Sequence, residues 1–287
     1  MMRPFSQPEP AVNEAAAPPP AATPALAFAQ LMQAHRSIRQ YRPDPVDSAF
    51  IDRVLTQAWA GSSSSGNLNM VSVVKSFDAE RRAHLCTLHA GQPMVRQAPL
   101  VLTFCADTYR TRQWLAQRDA RPGFADFHSW HVGAFDAVIL AQTTALALES
   151  HGLGICFMGT TMSSMRAIAD FLALPPNCLP VTSLVVGWPD ETPAQRDRLP
   201  PQAWIHEERY QAPTPQDIDT HYAQREQQGR ERYLAMGPEM VAAWQQHGIS
   251  SLAQYYTSPI KYDPDRLAEN SAAIEAVLRE RGFLAPG

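Results

Sequence analysis

The stretch from Trp130 to Leu148 limits what this chain can fold into more than any other. It contains the run VGAFDAVILAQTTALAL, apolar around nearly the whole circumference of a helix. Such a helix has to sit at the centre of a fold, covered by other elements and also, in places, by a partner. A chain of 287 residues is long enough to supply that cover, as one large domain or two small ones.

The covering elements alternate. Val46 to Ala60 carries Phe50, Ile51, Val54, Leu55 and Ala58 at helical spacing, with Asp47 or Ser48 as N-cap. Met70 to Lys75 is short and β-branched, a strand; Ala79 to Ala90 reads as a helix stopping at Gly91. Leu100 to Ala106 (LVLTFCA) is nearly continuously apolar, as a strand buried on both faces would be. Further on come a strand at Ile155 to Met158, a helix at Ser163 to Leu172 and a buried strand at Leu179 to Trp188. Charged helical patterns return at Gln216 to Tyr233, Pro238 to His247 and Pro264 to Arg281. They read as arms or coverings. The class is α/β or α+β, with helices covering a sheet.

Composition excludes several functions. The net charge is −4, so the overall basic footprint of a nucleic-acid binder is absent. Cys86, Cys105, Cys156 and Cys178 are scattered without CxxC spacing, mostly inside apolar runs, which suits reduced, buried thiols in a reducing compartment. No apolar stretch reaches membrane-spanning length, and the first residues hold no basic-then-apolar secretory signal. Residues 1–24, with EAAA and PPPAATP, are a low-complexity tail expected to be disordered. His128 and His131 are three apart, but no clustered Cys or carboxylate completes a metal site. There is no GxGxxG after a strand and no Walker A loop. His84, Cys86 and His89 do not share a helix face and read as surface or packing residues.

Two short segments carry chemistry. In His35-Arg36-Ser37-Ile38-Arg39-Gln40-Tyr41, Arg36 and Arg39 lie three apart and project from one side of a helix or its end. With Ser37 between them they suit a dianionic phosphate; the plainer reading is a solvated basic helix end. Gly61 to Leu68 (GSSSSGNL) sets four hydroxyls between glycines, a polar loop open to close approach. Arg196 and Arg198 follow a Pro/Thr/Asp loop, and alternate side chains of an extended segment point the same way; a solvated pair fits equally.

The segments HRSIRQY, SSSSGNLNMVSVV, AGQPMVRQAPLVLTFCAD, ALESHGLGICFMG and LVVGWPDETPAQRDRLP resemble, in order and spacing, the FMN-dependent nitroreductase family. The arginine-rich ending and Ile205 to Gln211 (IHEERYQ) look most like its NADPH-preferring group A, the major oxygen-insensitive branch. The resemblance runs from Leu26 to Gln211. It implies an α+β fold with a central mixed sheet covered by helices, in one FMN-binding domain over 25–287. It also implies an intertwined homodimer in which 214–287 form C-terminal arms crossing the partner. The implied activity is cytoplasmic: NAD(P)H passes hydride to flavin N5 and leaves, and a nitroaromatic, quinone or similar small acceptor then takes two electrons. Neither nucleic acid nor membrane is involved.

The same resemblance assigns roles. Arg36, Ser37, Arg196 and Arg198 hold the FMN phosphate, with Arg196 where lysine is commoner. Arg39 falls near the flavin N1–C2=O edge, where a fixed cation complements the charge that reduction brings. Gln92 matches the glutamine that meets the isoalloxazine or ribityl chain, with a plain turn residue as the alternative, and His35 is a ribityl or backbone partner. Ser62, Ser63, Ser64 and Ser65 reach the cofactor mostly across the dimer interface. Met158, Gly159 and Thr160 bring a backbone N–H near N5, with Thr160 replacing the usual glycine. Asn67 departs from the family's aromatic or leucine. These two changes keep a non-catalytic FMN-binding protein open, beside a same-fold reductive dehalogenase or flavin-destroying lyase. Charge and position alone, without the resemblance, point to Arg225, Arg230 and Arg232 for the NADPH 2′-phosphate; the plainer reading is a solvated helix face.

Overall fold

The computed structural model describes residues 23–285. Of the expected tail, 1–22 lie outside that range, while Thr23 and Pro24 open helix α1 (Thr23–Ala34). Helix α1 is a unit of its own, and a larger unit starts at His35.

In the larger unit, α2 (Ser48–Ala60) leads to β1 (Val71–Ser76), and α3 (Ala79–Leu88) with α4 (Pro93–Gln97) leads to β2 (Leu100–Asp107). Helices α5 (Tyr109–Ala116) and α6 (Phe127–Ser150) lead to β3 (Gly154–Met158); α7 (Thr160–Ser163) and α8 (Met165–Phe171) lead to β4 (Cys178–Gly187). Four more helices follow: α9 (Pro215–Leu234), α10 (Pro238–Gln246), α11 (Leu252–Tyr256) and α12 (Pro264–Glu280). Local chemistry sets several starts. Asp47, not Ser48, caps α2 by accepting from Phe50 N at 2.8 Å. Thr214 and Asp217 form a reciprocal capping box on α9. Each such cap stabilises its helix by about 1 kcal/mol.

The sheet order is β1-β2-β4-β3 and all three strand pairings are antiparallel. The expectation of a mixed sheet is therefore corrected: the parallel element is an isolated bridge, Ser37 to Ile155, laid on β3 by the segment after α1. The helix expected at Ser163 to Leu172 is two helices broken at Ser164, whose φ of −113° and ψ of 22° leave the helical basin.

Strand β2 is buried along its whole length, as a strand covered on both faces should be. Leu100, Leu102 and Phe104 pack in one cluster with Leu140, Ala141, Ala145 and Leu148 of α6. Truncating a residue such as Leu102 to Ala would cost about 2–5 kcal/mol. Helix α6 is long and apolar enough to cross a membrane, contrary to the sequence expectation. Here it is a core helix: Gly133, Ala137, Leu140, Thr144 and Leu148 face the protein, and Asp136 on the same side accepts from Met70 N at 2.9 Å. The cover is one-sided, however. Phe135, Val138 and Ile139 are exposed, so in a single chain α6 is not enclosed all round.

Candidate functional site

The segment after α1 is extended rather than helical, and it is stitched to the ends of two strands. Ile38 N donates to Ile155 O at 2.9 Å, Arg42 N to Trp188 O at 2.9 Å and Asp190 N to Gln40 O at 3.0 Å. The Glu191 carboxylate accepts from the main-chain N–H groups of both Arg39 and Gln40. Ile38 and Tyr41 turn inward, and the Tyr41 hydroxyl donates to Ile38 O at 2.7 Å. Burial pushes that phenol far above its ordinary range. The close approach requires two glycines. A Cβ at Gly154 would lie 2.7 Å from Ile38 Cγ1, and one at its register partner Gly187 would lie 2.8 Å from Tyr41 Cδ1.

This segment forms one bank of a cleft; the other is the irregular stretch beyond β4. His35, Arg36, Ser37 and Arg39 face Pro193, Ala194, Arg196 and Arg198 across about 50 Å³ of free space. Arg36 and Arg39 thus share a cleft, although through an extended chain and not as neighbours on a helix end. Arg196 and Arg198 line it together, as alternation along an extended segment predicts. Asp197, between them, turns the other way and is held by Arg225 Nε at 2.8 Å and Arg232 Nη1 at 3.8 Å. Burial, and then the neighbouring guanidiniums of Arg232 and Arg39, lowers Arg196 from its ordinary value. Cations so crowded are stabilised by an arriving anion, and a phosphate dianion matches their hydrogen-bond fork. His35 anchors the rear, its Nδ1 2.6 Å from Glu149 Oε1 near the end of α6. Burial raises the Glu149 carboxyl, while the bond to His35 opposes the rise.

A profile described as the Nitroreductase family matches residues 32–188, more than half the chain and both strand ends that carry this cleft. The chain belongs to the nitroreductase family. An FMN reductase [NAD(P)H] of Bacillus subtilis is 36% identical over 178 residues, 61% of this chain and 71% of that protein. An oxygen-insensitive NADPH nitroreductase of Salmonella typhimurium is 33% identical over 208 residues, 72% of this chain and 83% of that one. Among solved structures, the NADPH:FMN oxidoreductase from Vibrio harveyi, complexed with NAD+, superimposes with a TM-score of 0.72 at 28% identity. That match covers 90% of this chain and 99% of the Vibrio chain.

Set in the nitroreductase fold, the other predicted residues divide. Gln92 and Thr160 come together: Gln92 Nε2 lies 3.4 Å from Thr160 Oγ1. Gly159 is exposed, whereas the Met158 side chain is buried, which leaves only its main chain for a cofactor. The serine loop is not part of this chain's cleft. Ser64 Oγ donates to Asp136 Oδ2 at 2.7 Å and accepts from Asn69 N, while Ser62 Oγ bonds back to Ala58 O. Ser63 and Ser65 are exposed. The three arginines of α9 do not form one cluster. Arg225 and Arg232, seven apart, sit on Asp197, but Arg230 lines a different cleft with Glu226 and Glu231.

Sequence reasoning missed His89. Of the two readings given for it, surface or packing, the structure bears out packing: it is fully buried at the C-cap of α3; what was not read is its contact with Thr160, Nδ1 lying 2.9 Å from Oγ1. Its nearness to Gln92 in the sequence was the available signal. Asp197 was missed as well, although its position between two cleft arginines hints at a counter-ion.

Proposed function

We propose that this protein is an FMN-dependent NAD(P)H oxidoreductase that reduces nitroaromatics, quinones or similar small acceptors. The observation that carries this reading is the cleft in which His35, Arg36, Ser37 and Arg39 face Arg196 and Arg198. That donor set fits a phosphate monoester: planar guanidiniums for paired oxygens and a hydroxyl between them. When bound, FMN supplies the two-electron chemistry, accepting hydride from the nicotinamide and delivering electrons to the acceptor.

The chain binds and orients. Arg36, Ser37, Arg196 and Arg198 hold the phosphate, and Arg39 supplies a fixed cation beside the ring. Gln92, with the main chain of Met158, Gly159 and Thr160, borders the ring's reacting edge. The working unit is a homodimer. This is supported by the exposed Phe135, Val138 and Ile139 of α6, with Trp204, Ile205 and Tyr210 beyond the cleft. In that dimer the exposed Ser63 and Ser65 reach the partner's cofactor. The 2′-phosphate of NADPH falls to Arg225 and Arg232 beside the cleft, two cations sharing the single carboxylate of Asp197, while Arg230 lines a separate cleft with Glu226 and Glu231. Four free, buried thiols agree with a cytoplasmic setting.

The test is one titration and one spectrum. Purified protein should bind about one FMN per chain, and anaerobic NADPH should bleach the bound flavin's visible absorption. A chain that takes up no FMN, or whose flavin NADPH leaves unbleached, overturns the proposal.

A further inference from the structure

His89, Thr160 and Gln92 form a directed hydrogen-bond chain. Gln92 Nε2 donates to the His89 main-chain O at 3.2 Å and to Thr160 Oγ1 at 3.4 Å. A side-chain amide has only two hydrogens, so both are committed within the protein and Oε1, an acceptor, is the group left over. Thr160 Oγ1, already accepting from Gln92, has its own hydrogen available for His89 Nδ1 at 2.9 Å. That order requires a neutral imidazole with its proton on Nε2. The surroundings favour the neutral form, whichever ring nitrogen carries the proton. His89 is 0% exposed and Nε2 is buried without a hydrogen-bond partner, a place that penalises the charged form. Burial brings its pKa down to about 4.

The chain also joins two elements distant in sequence. The turn from His89 to Gln92 passes through left-handed Ala90 and Gly91, and is tied to the start of α7 by Thr160. A further tie runs from Ser164 Oγ to Leu88 O, at the helix break. Thr160 therefore does more than narrow the approach to the ring: its hydroxyl is the hinge pin between these two walls.

We propose that His89 is a positioning residue: through the Thr160 hydroxyl it fixes the Gln92 side chain as a hydrogen-bond acceptor toward the isoalloxazine ring, selecting a ring N–H over a ring carbonyl. The inference rests on the FMN reading above. A Thr160 that merely fills space would tolerate loss of its hydroxyl; a Thr160 that transmits orientation would not.

The full-length protein is titrated with FMN by quenching of flavin fluorescence, and the visible spectrum of the bound flavin is recorded. Thr160→Val, nearly isosteric, should raise the FMN Kd about fivefold and shift the flavin absorption bands, whereas Thr160→Ser should stay within about twofold of wild type. His89→Leu should match Thr160→Val, and His89→Asn, which keeps a polar atom near Nδ1, should recover much of the loss. The double variant His89→Leu/Thr160→Val should be no worse than either single one, because the residues act as a unit. Binding and spectrum unchanged in Thr160→Val, or additive losses in the double variant, would overturn this inference alone. A wild-type chain that fails to take up FMN would overturn both it and the functional reading.

Discussion

Two polar clusters border the site, and they are built on opposite principles. The arginine cleft is charged and flanked by ion pairs between the partly exposed Arg225 and Arg232 and the nearly buried carboxylate of Asp197. The Gln92–Thr160–His89 chain is neutral, runs into the interior and ends on an imidazole without a second partner. The first recognises charge, where each charge-assisted hydrogen bond contributes about 1.5–3 kcal/mol. The second recognises direction, through neutral bonds of about 1 kcal/mol each, of which the two from the Gln92 amide N–H have a fixed donor and acceptor. Attraction and orientation are therefore assigned to separate residues, and each can be disturbed without the other.

The largest expected effect comes from acid acting on the neutral cluster. His89 titrates at about 4 in the folded protein, against about 6.5 for an ordinary histidine. Above pH 6.5 it is uncharged in both states and contributes no pH dependence. As pH falls from 6.5 toward 4, the unfolded chain gains a proton that the folded chain refuses. Stability of about 3 kcal/mol is then lost. Denaturant unfolding at pH 7 and pH 4 should show this loss in wild type and a correspondingly smaller one in His89→Asn; equal losses would remove His89 from the account.

In the charged cluster, Arg198→Ala should weaken FMN binding by about 2 kcal/mol, roughly thirtyfold in Kd, while leaving thermal stability almost unchanged. A change in stability with intact binding would reverse the contrast. Asp197→Asn comes next. It leaves Arg225 and Arg232 facing each other without their carboxylate, and should cost about 1–2 kcal/mol of stability after allowance for their exposure. Arg230→Ala, in its separate cleft, should move neither FMN affinity nor the unfolding midpoint. Salt gives the smallest measurable effect and the sharpest division. Raising it from low to half-molar should weaken FMN binding by about threefold, yet leave the ratio of Kd values between Thr160→Val and wild type unchanged. A salt-dependent ratio would mean that the two clusters are coupled.

The sequence was legible wherever the signal is local. Asp47 before an apolar stripe and the unbroken LVLTFCA run each declare their element within a few residues. The arginine cleft was legible too, because Arg36, Ser37, Arg196 and Arg198, which line it together, sit in segments whose resemblance extends over the intervening chain. What escaped was long-range and polar. Strand direction depends on pairing between distant runs, so an antiparallel sheet was read as mixed. Ser64 meets Asp136 across 72 residues and His89 meets Thr160 across 71, and nothing local marks either pair. The break at Ser164 stayed hidden because its side chain serves Leu88 O, far back in the chain. The helix-end reading of Arg36 and Arg39 failed for a similar reason: the ends of β3 and β4 draw that segment straight.

Helix α6 has a consequence of another kind. Near its middle, Asp136 holds the serine loop through Ser64; at its end, Glu149 holds His35 at the rear of the cleft. Between 136 and 149 the rise of about 1.5 Å per residue sets these two attachment points about 20 Å apart. In the proposed homodimer, whose chains would lend their serine loops to each other, one rigid rod would gauge the distance from a chain's own arginine cleft to the loop it gives away. A single inserted residue would lengthen that gauge by about 1.5 Å and turn one attachment by about 100° relative to the other. Both sites of such a dimer would lose their alignment at once, although none of the residues proposed to touch the cofactor had changed.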